Sequence, residues 1–100
     1  MPTLKKEPVP IYNFIDIDVA KENIGAVIGQ YTSLIDDEEE KKTPNKKLLE
    51  KYEKQITELA TLVRNFHKTP QDEIFGVRKK FGKLYRENQE KMKQGLYLAI

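Results

Sequence analysis

The sequence predicts an all-α protein: a three-helix antiparallel bundle with a long helical hairpin and an extended N-terminal arm. Apolar residues recur at spacings of three and four over three stretches. Thr-Pro pairs at 43–44 and 69–70 open two of them, and the links between stretches are short. One hundred residues suffice for one core, so a single domain is expected, an arm over 1–17 followed by a bundle over 18–100. The chain is highly charged, at 34% Asp, Glu, Lys and Arg, yet its apolar residues are regularly placed rather than depleted, which argues for folding over disorder.

The arm carries Pro2, Pro8 and Pro10 with Lys5, Lys6 and Glu7, a composition poor in helical hydrogen bonding and apolar area. Over 11–17 and just beyond, Ile15, Ile17 and Val19 alternate with Asp16 and Asp18, the pattern of a short strand or extended segment. An irregular start to the next helix is the alternative. A strand there could form a short β pair with the apolar tail 96–100.

The first helix is expected over 18–36, with Asp18 as N-cap and one face formed by Ala20, Ile24, Val27, Ile28, Tyr31, Leu34 and Ile35. Gly25 and Gly29 each weaken a helix by about 1 kcal/mol relative to alanine. Lying four apart, they suggest a groove where another backbone packs closely. The acidic run 36–40 has no apolar partner and reads as a solvated loop, or as a handle for a basic partner.

The second helix, 44–67, has the clearest seam: Leu49, Tyr52, Ile56, Leu59, Val63 and Phe66 at spacings of 3, 4, 3, 4 and 3. The third, 70–94, opens with Asp72 and Glu73, where the helix dipole favours negative charge, and repeats the pattern through Ile74, Val77, Phe81, Leu84, Asn88 and Met92. The short link through Lys68, Thr69 and Pro70 makes these two an antiparallel hairpin, long enough and heptad-like enough to suggest a homo-oligomer. Gly95 is the expected stop, after which Leu96, Tyr97, Leu98, Ala99 and Ile100 are too apolar to remain in water.

Several chemistries are excluded or weak. Without cysteine there is no disulfide or thiolate site, and the single His67 leaves no histidine pair for a metal or a relay. His67 with Arg64 could act on a phosphodiester, but a histidine near a helix C-terminus more often caps the last carbonyls. Asp16 and Asp18, with Glu22, could hold Mg²⁺, although such alternation is more often a cap and its solvated neighbour. No Gly-rich phosphate loop and no hydrolase or zinc-protease motif is present. The expectation is a non-enzymatic protein without metal, cofactor or small-molecule substrate. No secretion signal is readable, and the uncharged run 23–35 is too short and too polar to span a bilayer, so the expected compartment is the cytoplasm, away from membranes.

Charge is the most informative feature. Residues 1–40 hold three lysines against nine acids, a net of −6, whereas residues 41–100 carry +8. Two functional classes follow. The first is a protein-binding module of the inhibitor, immunity or antitoxin kind, engaging its partner through Asp37, Glu38 and Glu39, through Phe75, which points about 100° away from Ile74, and through Leu96, Tyr97 and Leu98. The second is a nucleic-acid-binding accessory or regulatory protein using Lys79, Lys83 and Arg86 at i, i+4 and i+7, with Arg78 and Lys80 at the margins. Against the second stand a pI of only 8.7, Glu87 and Glu90 beside the basic face, and no recognisable binding motif. A strand at 11–17 entering the major groove would also present Asp16 and Asp18 to phosphates. Asn88, a polar residue on a seam, could fix register.

Overall fold

A computed structural model describes residues 8–96 and 98, with side chains from residue 16 on. It is a three-helix bundle: α1 (Pro8–Glu39), α2 (Lys46–Arg64) and α3 (Gln71–Lys93), with a single 3₁₀ turn, Phe66–Lys68, between the last two. Consecutive helices are antiparallel, so α1 and α3 run parallel. α1 is central, because α2 and α3 each pack along it far more closely than against each other. No helix among the described residues is long and apolar enough to cross a membrane.

α1 differs most from the expectation. Residues 8–17 are its first turns rather than an extended arm, so no strand exists at 11–17 to pair with the tail. Residues 1–7 of the expected arm, and 97, 99 and 100 of the tail, lie outside the described residues. The prolines do not prevent this start, because the first four N–H groups of a helix have no intrahelical acceptor and Pro8 and Pro10 sacrifice none that is needed. Asp18 is consequently an exposed mid-helix residue and not a cap. The alternation at 15–19 is overridden by the three-to-four spacing of Ala20, Ile24, Val27 and Tyr31, all buried.

At its other end α1 continues through most of the acidic run instead of stopping at 36. Glu38 is buried and takes a hydrogen bond from the Lys41 ammonium at 2.9 Å and another from the Asn45 backbone N–H at 2.8 Å. That local neutralisation relieves the repulsion expected of five consecutive carboxylates. It also ties the end of α1 to the start of α2.

α2 begins two residues later than the Thr-Pro signal implies, because Asn45 serves as N-cap, its Oδ1 accepting from the Leu48 N–H. Tyr52, Leu59 and Phe66 of the seam are buried, and the Tyr31 and Tyr52 rings meet 5.4 Å apart across the α1–α2 contact. α3 opens after Pro70 with Asp72 and Glu73 in its first turn. It closes as expected at Gly95, whose φ of +75° permits the paired bonds Gly95 N–H to Met92 C=O and Leu96 N–H to Lys91 C=O. Leu98 then returns to the core.

The glycine expectation needs correction. Gly25 and Gly29 are exposed, and a Cβ placed on either would meet nothing within 4 Å. The close approach is at Gly82 of α3, where a Cβ would lie 3.1 Å from the Asn23 side-chain amide. The α1 side chains that hydrogen-bond α3 are the Asn23 and Gln30 amides and the Asp16 carboxylate.

Candidate functional site

Three inward residues set the orientation of α3. Ile74, Phe81 and Asn88, spaced by seven, are buried, which turns Lys79, Lys83 and Arg86 to the opposite, exposed side. Between Ile74 and Arg86 the helix holds five cationic side chains and no carboxylate. Because Gly82 lacks a side chain, the two helix walls leave an open groove of about 600 Å³, lined by Val19 and Asn23 from α1 and by Arg78, Lys79, Lys80, Gly82, Lys83 and Arg86 from α3.

The five cations are not equivalent. The Arg78 guanidinium donates to Asp16 Oδ1 at 2.8 Å, and Asp16, only 6% exposed, also accepts from Gln71 Nε2 at 2.7 Å. Arg78 is thereby a structural cation at the groove's inner edge. The Lys79 and Lys80 ammonium groups stand over the rings of Phe75 and Phe81, at 5.3 and 5.5 Å from their centroids. Lys83 and Arg86 have no carboxylate within salt-bridge distance among the described residues; Glu90 turns instead toward Lys93, at 3.8 Å. Four cations are therefore free to meet an anion.

The residues expected to form a protein-binding surface fall in separate places, with Asp37, Glu38 and Leu96 together at one end and Phe75 at the other. Asp37 and Glu39 are exposed, but Glu38 is committed to Lys41 and Asn45, and Leu98 belongs to the core. Leu96 is exposed and shares a small pocket of about 300 Å³ with Asp37, Glu38 and Met92. Phe75, also exposed, lies at the far end of α3 from that pocket. Tyr97 lies outside the described residues.

The remaining candidates resolve into structural roles. His67 Nδ1 is 3.1 Å from the Arg64 carbonyl oxygen, at the end of α2. Asp16 is buried against α3 while Asp18 and Glu22, four residues apart, share an exposed face of α1, and among the described residues no group of three or more His, Cys, Asp or Glu side chains could hold a metal ion. Asn88 does sit on a polar seam: its Nδ2 donates to Gln30 Oε1 at 3.0 Å. Gln30 Nε2 in turn donates to the Tyr85 carbonyl and to Gln89 Oε1, while Asn23 Nδ2 donates to the Arg78 carbonyl. The sequence reading missed this ladder. Its signal was the spacing of Asp16, Asn23 and Gln30, each seven residues from the next. Compared with protein-family models, curated proteins and solved structures, the chain finds no match.

Proposed function

We propose that this is a non-enzymatic nucleic-acid-binding accessory protein whose working surface is the basic groove between α1 and α3. The observation that carries the reading is the convergence of Lys79, Lys80, Lys83 and Arg86 on one open groove, with Arg78 already neutralised by Asp16. Such a surface suits a chain of phosphates, since clustered cations without carboxylate partners release counterions when they meet one. The test is fluorescence anisotropy with a labelled oligonucleotide over a range of salt concentrations. Affinity is expected to fall linearly in log salt, and the triple variant Lys79→Glu, Lys83→Glu, Arg86→Glu should lose binding while keeping its helical circular dichroism. Salt-independent binding, or a triple variant that binds as well as the parent, would overturn the reading.

A protein-binding module of the inhibitor or antitoxin kind is the second reading. It is favoured by Leu96, 52% exposed beside Asp37 at the end of the bundle away from Phe75. Affinity capture from lysate with nuclease treatment separates the two. A stoichiometric protein retained after nuclease and lost with Leu96→Asp would support this second reading.

A further inference from the structure

Among the described residues Phe75 is the large aromatic side chain left most exposed, at 47%, and it lies one helical turn before Lys79 on the stripe that continues through Gly82, Lys83 and Arg86. Lys79 covers one face of the ring from 5.3 Å. An apolar ring at the head of a row of cations is an odd surface for water alone. It matches a ligand with a flat apolar face at one end and regularly spaced negative charges after it.

Resting on the nucleic-acid reading above, we infer that the groove takes a short run of single-stranded nucleic acid, one base stacked on Phe75 and the adjoining phosphates on Lys79, Lys83 and Arg86. Three observations favour a single strand over a duplex. Base faces are hidden in a duplex and offered by a single strand, and stacking on an aromatic side chain tolerates any base. The stripe lacks the amide side chains that read base edges in a major groove, because Asn88 and Gln89 are occupied in the seam with α1. Asp72 and Glu90 stand on the same side of α3 beyond either end of the stripe. They confine it to the length from Phe75 to Arg86, about 17 Å at 1.5 Å per residue, which suits a few nucleotides better than a duplex crossing.

The experiment compares a labelled oligothymidylate of ten nucleotides with a DNA hairpin duplex of similar charge, using the full chain and anisotropy at two salt concentrations. The single strand is expected to bind at least tenfold more tightly. Phe75→Leu, which keeps an apolar side chain on the helix, should weaken single-strand binding about 5- to 100-fold, the range for losing one stacked base. Phe75→Tyr should retain the preference. Equal binding of strand and duplex, with Phe75→Leu as good as the parent on both, overturns this inference and leaves the basic groove standing. Failure to bind either nucleic acid overturns both readings. Competition by polyglutamate as effective as that by oligothymidylate points to an acidic protein and also overturns both.

Discussion

The two sides of α1 are built from different materials. Toward α2, Tyr31 meets Tyr52 ring to ring, within an apolar cluster that includes Ile24 and Leu59 and, at its edge, Ile17, Ile28, Ile56 and Val63. Toward α3 it presents Asp16, Asn23 and Gln30, seven residues apart, each hydrogen-bonded to α3. Apolar contacts are non-directional and tolerate sliding, whereas amide-to-carbonyl bonds hold only at one offset. Both contacts bury apolar groups, Ile74 and Phe81 of α3 among them, while the bonds of the α1–α3 contact also fix which residues of a parallel helix pair stand opposite one another.

That division can be broken first on its apolar side. Ile24→Ala, at a fully buried position, is expected to cost about 2–5 kcal/mol, measured as a loss of urea midpoint with an unchanged slope. A smaller loss, about 1–3 kcal/mol, is expected for Asn88→Ala, which strands Gln30 Oε1 in the interior. Replacing Gln30 and Asn88 together by leucine removes both partners. It should recover most of that stability while broadening the amide NMR spectrum of α3, as alternative registers become accessible. A double variant as sharply dispersed as the parent would show that the ladder does not set the register.

The glycines sharpen the contrast further. Gly25→Ala and Gly29→Ala, on the open side of α1, should each stabilise by about 0.5–1 kcal/mol through helix propensity alone. Gly82→Ala has the same intrinsic gain but presses on the Asn23 amide, so its thermal midpoint should fall below theirs. The smallest effect is alkaline. Burial, and secondarily the charge of Tyr52, raises the Tyr31 hydroxyl above its ordinary pKa of 10. A raised folded value means its contribution is intact below the unfolded pKa and lost as pH climbs through the folded one. Stability should thus decline above about pH 10, and Tyr31→Phe should lessen that decline in a denaturant titration.

How much of this was legible in the sequence varies by element. The seams of α2 and α3 could be read because Tyr52, Leu59, Phe66, Ile74 and Phe81 bury strongly apolar groups at helical spacing, and Gly95 marked the one place among the described residues where positive φ was required. The start of α1 was obscured because its prolines and its Ile/Asp alternation are local signals of extension, outweighed by contacts made 55 or more residues away, such as Asp16 with Gln71 and Arg78. Glu38 was read as solvated because nothing in its own neighbourhood announces a buried carboxylate. Of the candidate site, the α3 wall was visible from the spacing of Lys79, Lys83 and Arg86. The α1 wall at Val19 and Asn23 depends on the parallel register, which only the folded chain defines.

Besides the side-chain bonds at Arg78, Asn88 and Gln89, Asn23 and Gln30 grip α3 by its main-chain carbonyls, at Arg78 and Tyr85. Every amino acid offers the same main-chain carbonyl, whatever its side chain. The outward positions of α3 are accordingly free to change in charge, size or aromaticity while the helix stays in place. The bundle behaves as a mount with an exchangeable faceplate, on which ligand preference can drift or be redesigned without refitting the scaffold behind it.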